Sequence, residues 1–380
     1  MDTAEAVLKF LRSVGPRTEA EFYLELFRSA PRERFATLVV DEQTMAESAD
    51  AVAVDLRFLA QLELTPIVVL RGDQPQTAQQ SASDLMRRLH VQGVVAQGPL
   101  STREVETITT AARNGVIAVC VDEGPDDDPM ARLSVLLSAL QAHKLIFVRQ
   151  AGGLRLEGER LSLVDLGAET DSLLAGDSLS QVDKQLLLTA RMLVSPQAEH
   201  KLLVSVTSPL NLLHELFTVR GAGTLLRWAA TITRHQGLTG VDLTKLVEIL
   251  EASFGRKPAR DVLQRDYADC YMDSAYRGAA LLIQSPFGGY LSKFAVTRKA
   301  QGEGVGRDLW RAVSTDYERL LWRARANNPI SSWYEQQCQS LYRIGAWTIY
   351  TRGIDASELP AAIAFVQSQP DDFSSDETLL

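Results

Sequence analysis

The sequence is poor in cysteine and histidine. Its 380 residues include three cysteines and five scattered histidines. Three widely spaced cysteines (Cys120, Cys270 and Cys338) exclude a disulfide framework, and no ligand-like pair of histidines indicates a zinc site. We therefore predict no metal site and interpret these residues as structural.

Long apolar runs and basic clusters are also scarce. No run approaches the ~20 residues of a membrane-spanning helix, and Asp2 and Glu5 stand where a signal peptide would be basic. A net charge of -9 argues against nucleic acid or an anionic membrane as the main partner. The hydrophobic share of 46% and the charged share of 23% are typical of a soluble globular protein. We predict a cytoplasmic location.

The first two-thirds of the chain alternate between strand-like and helix-like patterns. Amphipathic stretches such as residues 51–62 and 101–114 separate short continuous apolar runs, which are typical of buried parallel strands. Those runs lie at residues 35–40, 65–70, 93–96, 116–121 and 144–148. The alternation predicts a doubly wound α/β domain over residues 1–234.

The character of the sequence changes near residue 235. Residues 235–240 contain two glycines, which is typical of a linker, and Asp242 is suited to cap a following helix. We predict an α+β domain over residues 241–368 and an acidic, disordered tail over residues 369–380. Its strands are expected at residues 270–276, 278–285, 290–297, 320–325 and 346–351, with helices after the third and fourth.

The most informative stretch is residues 301–306 (QGEGVG), between the strand at 290–297 and a helical pattern. Its glycines let the backbone approach a pyrophosphate closely, and the next helix would direct its N–H groups at that anion. A Walker loop fails because Arg307-Asp308 follows the last glycine, and a dinucleotide fingerprint fails because Arg307 replaces its third glycine. The pattern Gln-x-x-Gly-x-Gly is similar to the acetyl-CoA loop of the GNAT acyltransferases. An ordinary glycine-rich turn is the alternative.

Three segments resemble the N-acetylglutamate synthase family, specifically its vertebrate-type synthases and bifunctional synthase/kinases. They are residues 215–225 (ELFTVRGAGTL), residues 290–296 (YLSKFAV) with the glycine loop, and residues 321–334 (LWRARANNPISSWY). The resemblance implies an amino-acid-kinase-like domain followed by a GNAT-like acetyltransferase domain that acetylates L-glutamate. The acetyl-CoA ligands that it implies are Phe294, Val296, Gln301, Gly302, Glu303, Gly304, Val305 and Gly306.

The substrate residues that the resemblance implies are Arg323, Arg325 and Asn328, together with Lys293, Arg256 and Lys257. Two arginines could bind the two carboxylates of glutamate bidentately, and residues two apart on a strand share a face. Two solvated arginines on an edge strand are the alternative. Arg256 stands where the family has a lysine, which keeps the charge but alters the binding geometry.

The resemblance makes Tyr334 the general acid that protonates the departing CoA thiolate, with Asn328 beside it in the catalytic set. A phenol and an alkyl thiol have similar pKa values, so proton transfer can accompany C–S cleavage. A core aromatic is the alternative interpretation of Tyr334.

The first domain lacks the phosphate-binding elements of an amino-acid kinase. Residues 39–42 (VVDE) replace a lysine followed by paired glycines, and residues 70–73 (LRGD) replace a glycine-rich turn. Val39 removes a cation, while the acidic residues would repel a triphosphate, so we predict no phosphoryl transfer. A bifunctional synthase/kinase and a non-catalytic arginine sensor remain alternatives.

The resemblance gives the first domain a role in assembly and arginine sensing. The implied arginine site contains Tyr23, Glu215, Gly221 and Gly223, and a homo-oligomer (a tetramer or larger) is expected. Glu215 could pair with a guanidinium, or it could be a solvated helix residue. The expected ligands are therefore acetyl-CoA, L-glutamate and L-arginine.

Overall fold

The computed structural model describes residues 17–72, 74–122, 129–194, 202–218, 221–259, 261–328 and 330–370. The chain divides into two compact units, Met1–Trp228 and Ala229–Leu380. None of the helices in these described ranges has the length and apolarity needed to cross a bilayer.

The N-terminal unit is built around one eight-stranded sheet and a small hairpin. Its helices are α1 (Arg17–Ser29), α2 (Glu42–Gln61), α3 (Pro75–Val91), α4 (Val105–Arg113), α5 (Pro129–Leu140), α6 (Thr170–Ala175), α7 (Gln181–Leu193) and α8 (Leu212–Phe217). Its strands are β1 (Thr37–Asp41), β2 (Ile67–Arg71), β3 (Ala96–Ser101), β4 (Ile117–Val121), β5 (Lys144–Val148), β6 (Arg155–Leu156), β7 (Glu159–Arg160), β8 (Leu163–Asp165), β9 (Leu203–Thr207) and β10 (Thr224–Arg227).

Helices cover both faces of the eight-stranded sheet, whose order is β3-β4-β2-β1-β5-β9-β10-β8. The strands from β3 to β9 in that order are parallel, whereas β10 is antiparallel to β9. Along β1, Leu38 and Val40 pack on α2 and α3, while Val39 packs on the opposite core with α4 and α5. Both faces are buried, which explains the continuous apolar run, and the predicted doubly wound fold is confirmed.

The C-terminal unit is built around a seven-stranded sheet with the order β11-β12-β13-β14-β15-β17-β16. Neighbouring strands are antiparallel except β14 and β15, which are parallel. The helices are α9 (Leu243–Phe254), α10 (Val305–Asp316), α11 (Ser331–Gln337) and α12 (Leu359–Ser368). The strands are β11 (Ile232–Gln236), β12 (Asp269–Asp273), β13 (Gly278–Ser285), β14 (Gly288–Val296), β15 (Leu320–Arg325), β16 (Ser340–Ile344) and β17 (Trp347–Arg352).

Capping residues set both ends of α9, as the sequence predicts at its start. The Asp242 carboxylate accepts hydrogen bonds from the N–H groups of Thr244 at 3.1 Å and Lys245 at 3.2 Å. Gly255 ends the helix with a φ of 64°, a left-handed conformation that favours glycine.

Some sequence-based boundaries are wrong. Residues 235 and 236 do not begin a linker, because His235 and Gln236 pair with β12 as the end of β11. The strand predicted at residues 93–96 lies instead at Ala96–Ser101 (β3). Its pairing with β4 shifts register between Gln97 and Leu100, where Gly98 and Pro99 lie. The strand β16 and helix α12 were not predicted. Of the predicted tail, residues 371–380 lie outside the described residues.

Candidate active site

The parallel strands β14 and β15 separate after a short common ladder. They pair along three residue positions, and the last pair joins Leu291 to Trp322. Beyond it, β14 continues to Val296 beside β13, and β15 continues to Arg325 beside β17. Backbone N–H and C=O groups along the two diverging edges therefore need other partners, which makes the gap between the strands a place for a ligand.

A β-bulge lies on β14 where the strands begin to separate. Lys293 pairs with Leu281 and Leu291 pairs with Leu282, so Ser292 is the extra residue. Bulges of this kind redirect the local backbone and its N–H groups, and the sequence did not reveal this one. The buried Lys293 ammonium donates a hydrogen bond to Ser292 Oγ at 2.9 Å, so it lies beside the bulge.

The predicted glycine-rich loop joins the end of β14 to the start of α10. Gly302 and Gly304 have φ values of 85° and 80°, and Gly304 is the N-cap of α10. The first turn of the helix closes with a hydrogen bond from Asp308 N–H to Gly304 O at 3.2 Å. The N–H groups of residues 305–307 come before that bond and point outward from the N-terminal end of the helix. This is the geometry that binds a phosphate or pyrophosphate.

The remaining predicted acetyl-CoA residues surround this loop. The side chain of Gln301 donates a hydrogen bond to Val296 O at 3.3 Å, which ties the loop back to β14. Val305 is buried under the first turn of α10. A Cβ on Gly306 would make only ordinary contacts with Val296 and Phe294, at 3.6 and 3.7 Å. These residues thus lie close together at the carboxyl end of β14.

An arginine that the sequence did not single out holds the loop from the side. Arg277 Nη1 donates a hydrogen bond to Glu303 Oε2 at 2.9 Å, and its Nε and Nη2 donate to the two carboxylate oxygens of Asp273 at 2.7 and 3.0 Å. Burial lowers the pKa of the Arg277 guanidinium, but the hydrogen bonds and charges of Asp273 and Glu303 outweigh it and raise that pKa. The cation is therefore fixed between two carboxylates.

Tyr334 lies in an aromatic core on the α10 side of β15. Its ring centroid is 5.8 Å from that of Trp322 and 6.3 Å from that of Phe294. Phe294 in turn stacks on Trp333 at 5.6 Å, so the aromatic core joins β14 to α11 across the gap between the strands. Burial raises the pKa of the Tyr334 phenol, and the neighbouring Tyr350 adds to that rise. The raised pKa keeps the phenol protonated but makes it a weaker acid than an ordinary tyrosine, so the similarity to the pKa of an alkyl thiol that the sequence suggested is reduced.

The two predicted substrate arginines share one face of β15, but it is the face opposite Tyr334. Arg323 and Arg325 both lie over the ring of Trp347, at 4.3 and 4.0 Å from its centroid. Arg323 also donates hydrogen bonds to Val366 O at 3.2 Å and Pro370 O at 2.7 Å, at the end of α12. The structure therefore brings neither Arg323 nor Arg325 next to Tyr334.

Asn328 holds the start of the helix that carries Tyr334. Its side-chain oxygen accepts a hydrogen bond from Ile330 N–H at 3.1 Å, and its N–H donates to Arg325 O at 2.9 Å. It thereby connects the end of β15 to α11.

Arg256 and Lys257 are exposed in the segment that follows α9. Helix α9 packs against the face of β14 that carries Ala295, in a core separate from the one that contains Tyr334. A hydrogen bond from Arg265, together with the nearby Arg265 and Lys293 charges, lowers the pKa of Asp261 against the opposing effect of burial.

In the N-terminal unit, Glu215 lies together with two of the glycines predicted for the arginine site. Its Oε2 accepts hydrogen bonds from the N–H groups of Ala222 and Gly223, both at 2.9 Å. A Cβ on Gly221, whose φ is 59°, would collide with the same carboxylate. Lys144 Nζ lies 3.6 Å from Glu215 Oε1. The alternative of a solvated Glu215 is wrong, because the residue is only 6% exposed.

Tyr23, the fourth residue predicted for that site, lies on α1. Its ring centroid is 5.8 Å from that of Phe27, which in turn is 5.9 Å from that of Phe217 on α8. Tyr23 therefore reaches the Glu215 helix through an aromatic chain.

Two of the acidic residues that replace the kinase motifs in the sequence make hydrogen bonds near the starts of α2 and α3. Strand β1 leads directly into α2, and the Asp41 carboxylate caps that helix by accepting a hydrogen bond from Thr44 N–H at 2.7 Å. Glu42 accepts a hydrogen bond from Thr77 Oγ1 at 2.9 Å, near the start of α3. Both helix N-termini that could bind phosphate thus face negative charge. Asp73 lies outside the described residues.

Comparison with known proteins finds relatives over nearly the whole chain. The family described as NAT, N-acetyltransferase, of N-acetylglutamate synthase, matches residues 233–369. Human mitochondrial N-acetylglutamate synthase is 29% identical over 418 residues, which cover 96% of this chain and 78% of the relative. The acetylglutamate kinase of Xanthomonas campestris is 26% identical over 410 residues, which cover 90% of this chain and 95% of the relative.

Solved structures share the fold. N-acetylglutamate synthase from Neisseria gonorrhoeae, complexed with coenzyme A and N-acetyl-glutamate, matches with a TM-score of 0.53 at 15% identity. The match covers 88% of this chain and 98% of the other. The complex with coenzyme A and L-arginine has a TM-score of 0.51 at 15% identity, covering 88% of this chain and 97% of the other.

The fold and these similarities define an acetyl-CoA-dependent N-acetyltransferase whose GNAT-like domain follows an amino-acid-kinase-like domain. The C-terminal unit matches the N-acetyltransferase family of N-acetylglutamate synthase, and nearly the whole chain is similar to N-acetylglutamate synthases, which confirms the resemblance found in the sequence.

Proposed function

We propose that this protein transfers the acetyl group of acetyl-CoA to the α-amine of L-glutamate. The observation that carries the proposal is the separation of β14 and β15 beside the glycine-rich loop, with Tyr334 in the core next to that gap. In this proposal the loop binds the pyrophosphate, and the gap between the strands takes the extended arm of the thioester. The similarity to N-acetylglutamate synthases supports glutamate as the acceptor.

The mechanism uses three features of this chain. The N–H groups at the start of α10 bind the pyrophosphate of acetyl-CoA, and N–H groups of β14 near the bulge polarise the thioester carbonyl. The neutral α-amine of glutamate then attacks that carbonyl. A C–N bond forms, the C–S bond breaks, the amine loses a proton to solvent, and Tyr334 protonates the departing thiolate.

The two carboxylates of glutamate need cationic partners near the gap. Arg325, which is exposed at the end of β15, is better suited than Arg323, whose guanidinium already donates to the end of α12. Asn328 supports α11 and hence Tyr334. We further assign Lys293, Arg256 and Lys257 to the electrostatic environment that attracts the substrate.

The N-terminal unit is proposed to bind L-arginine and to have no kinase activity. The segment around Glu215, Gly221 and Gly223, with Tyr23 nearby, is the proposed effector site. Assembly into a tetramer or larger homo-oligomer is part of the same proposal. We also propose a cytoplasmic location, although the eukaryotic relatives are named as mitochondrial proteins.

The experiment that tests the proposal is release of free thiol from acetyl-CoA by the full chain, screened across the standard amino acids. We expect release to depend on glutamate. If acetyl-CoA binds but no amino acid stimulates release, the protein is a sensor rather than an acetyltransferase.

A further inference from the structure

Arg277 contacts both ends of the segment that joins β14 to α10. Its carbonyl oxygen accepts a hydrogen bond from Thr297 N–H at 2.9 Å, where the segment leaves the strand. Its guanidinium donates to Glu303 at 2.9 Å, one residue before the Gly304 cap. Arg277, on the turn between β12 and β13, therefore makes hydrogen bonds to both Thr297 and Glu303.

Arg277 is itself held rigidly. The Asp273 carboxylate that binds its Nε and Nη2 is fully buried at the end of β12, and it also accepts a hydrogen bond from Arg277 N–H at 3.2 Å. The next residue, Gly278, allows close approach of α10, because a Cβ there would lie 2.9 Å from Leu309 Cδ1. The turn and the start of α10 therefore form one packed block.

A negative charge in this loop requires explanation, because the loop's ligand is a pyrophosphate. Glu303 is the loop's acidic residue, and an uncompensated carboxylate would repel that anion. The contact with Arg277 offsets this charge and directs the Glu303 side chain to the β12–β13 turn. We propose that Arg277 is a positioning residue that fixes the glycine-rich loop in the shape that binds the pyrophosphate of acetyl-CoA. This inference rests on the proposed function.

The chain contains a matched control at the other end of the same helix. Arg234 donates two hydrogen bonds of 2.8 Å to Asp269, at the start of β12, and one of 3.1 Å to Asp316, the last residue of α10. Each arginine thus links one end of β12 to one end of α10. Arg234 contacts the C-terminal end of α10, whereas Arg277 contacts the glycine-rich loop just before its N-terminal end.

The test is calorimetric binding of acetyl-CoA to the full chain and to two variants, Arg277→Gln and Arg234→Gln. We expect Arg277→Gln to raise the Kd by about tenfold or more, the effect of losing a charge-assisted hydrogen bond. Arg234→Gln should lower the melting temperature comparably and leave the Kd within about twofold of wild type. In steady-state kinetics, Arg277→Gln should raise the KM for acetyl-CoA with little change in kcat.

Two substitutions of Glu303 provide a second test that does not require Arg277→Gln to fold. Glu303→Gln keeps an acceptor for Arg277 but loses the charge of the pair, so it should raise the Kd less than Glu303→Ala, which removes the acceptor altogether. Equal acetyl-CoA affinity in wild type, Arg277→Gln and Glu303→Ala would overturn the inference and leave the acetyltransferase proposal intact. Failure of the wild-type chain to bind acetyl-CoA would overturn both.

Discussion

The ring of Tyr350 lies 5.4 Å from the ring of Tyr334, centroid to centroid, at an interplanar angle of 52°. Burial in this aromatic core raises the pKa of Tyr334, and Tyr350 adds to the rise. A tyrosine with a raised pKa stays protonated as the pH increases through the neutral and mildly alkaline range. The aromatic core therefore favours the neutral phenol and widens the difference between its pKa and that of the CoA thiol.

The substitution Tyr334→Phe removes that acid and keeps the ring. We expect kcat to fall by roughly 10²-fold, because general acid catalysis typically contributes that much, while the KM for both substrates changes little. Steady-state kinetics at matched melting temperature check this. An unchanged kcat in a well-folded variant would make Tyr334 a packing residue and water the acid.

Arg325→Ala is the contrasting change in the same domain. Because the guanidinium is proposed to bind a carboxylate in the ground state as well as the transition state, the KM for glutamate should increase with little change in kcat. Arg325→Lys keeps the charge but loses the planar fork, so it should give an intermediate KM. If neither variant alters the KM for glutamate, the carboxylate partner lies elsewhere.

The Asp41 cap at the start of α2 predicts the absence of kinase activity. With N-acetylglutamate, ATP and magnesium, we expect no acyl phosphate to be trapped as a hydroxamate. Asp41→Ala should cost about 1 kcal/mol of stability through loss of the cap and should not create the activity. Hydroxamate formation by the wild-type chain would revive the bifunctional alternative.

Glu215 can be tested with two substitutions that separate its charge from its hydrogen bonds. Glu215→Gln retains an acceptor for Ala222 and Gly223 but loses the ion pair with Lys144, so its melting temperature should fall less than that of Glu215→Ala, while L-arginine affinity should fall about tenfold or more. Glu215→Ala leaves those buried N–H groups without an acceptor and should lower both quantities. Calorimetry that gives equal arginine affinity in wild type and Glu215→Gln would exclude this carboxylate as the ligand.

Burial raises the pKa of Asp55, on α2, to about 7. Its ordinary value is 3.8, so the stability that its neutral form contributes is complete below about pH 4 and is lost as the pH rises through 7. Asp55→Asn should therefore melt at a higher temperature than wild type at pH 8, by about 2–4 °C or more, and by less at pH 5. A difference that does not change with pH would show that Asp55 is solvated.

Most of the helices and strands could be predicted from continuous apolar runs and from capping residues. The run at residues 144–148 and the pattern at 320–325 gave the bounds of β5 and β15, because the burial of these strands depends on local residue type. Strand β11 was missed because it lies at the sheet edge, where side chains such as Thr233 and Arg234 are exposed and the apolar pattern is weak.

Only part of the candidate active site could be predicted from the sequence. The glycine-rich loop is a local motif with a physical signature, so its position before α10 could be predicted. The contact between Arg277 and Glu303 joins residues 26 apart, and it depends on the register of β13 and β14. Likewise, the hydrogen bond from Arg323 to Val366 spans 43 residues and could not be foreseen from the spacing of two arginines on one strand.

The most direct test of the central claim follows the acetyl group itself. Wild-type protein is incubated with acetyl-CoA labelled with ¹³C at its carbonyl and with L-glutamate, and the label is located by NMR. The account predicts a labelled amide carbonyl on the α-nitrogen of glutamate, formed much more slowly by Tyr334→Phe. Label that remains in the thioester, although acetyl-CoA binds and glutamate is present, would contradict it.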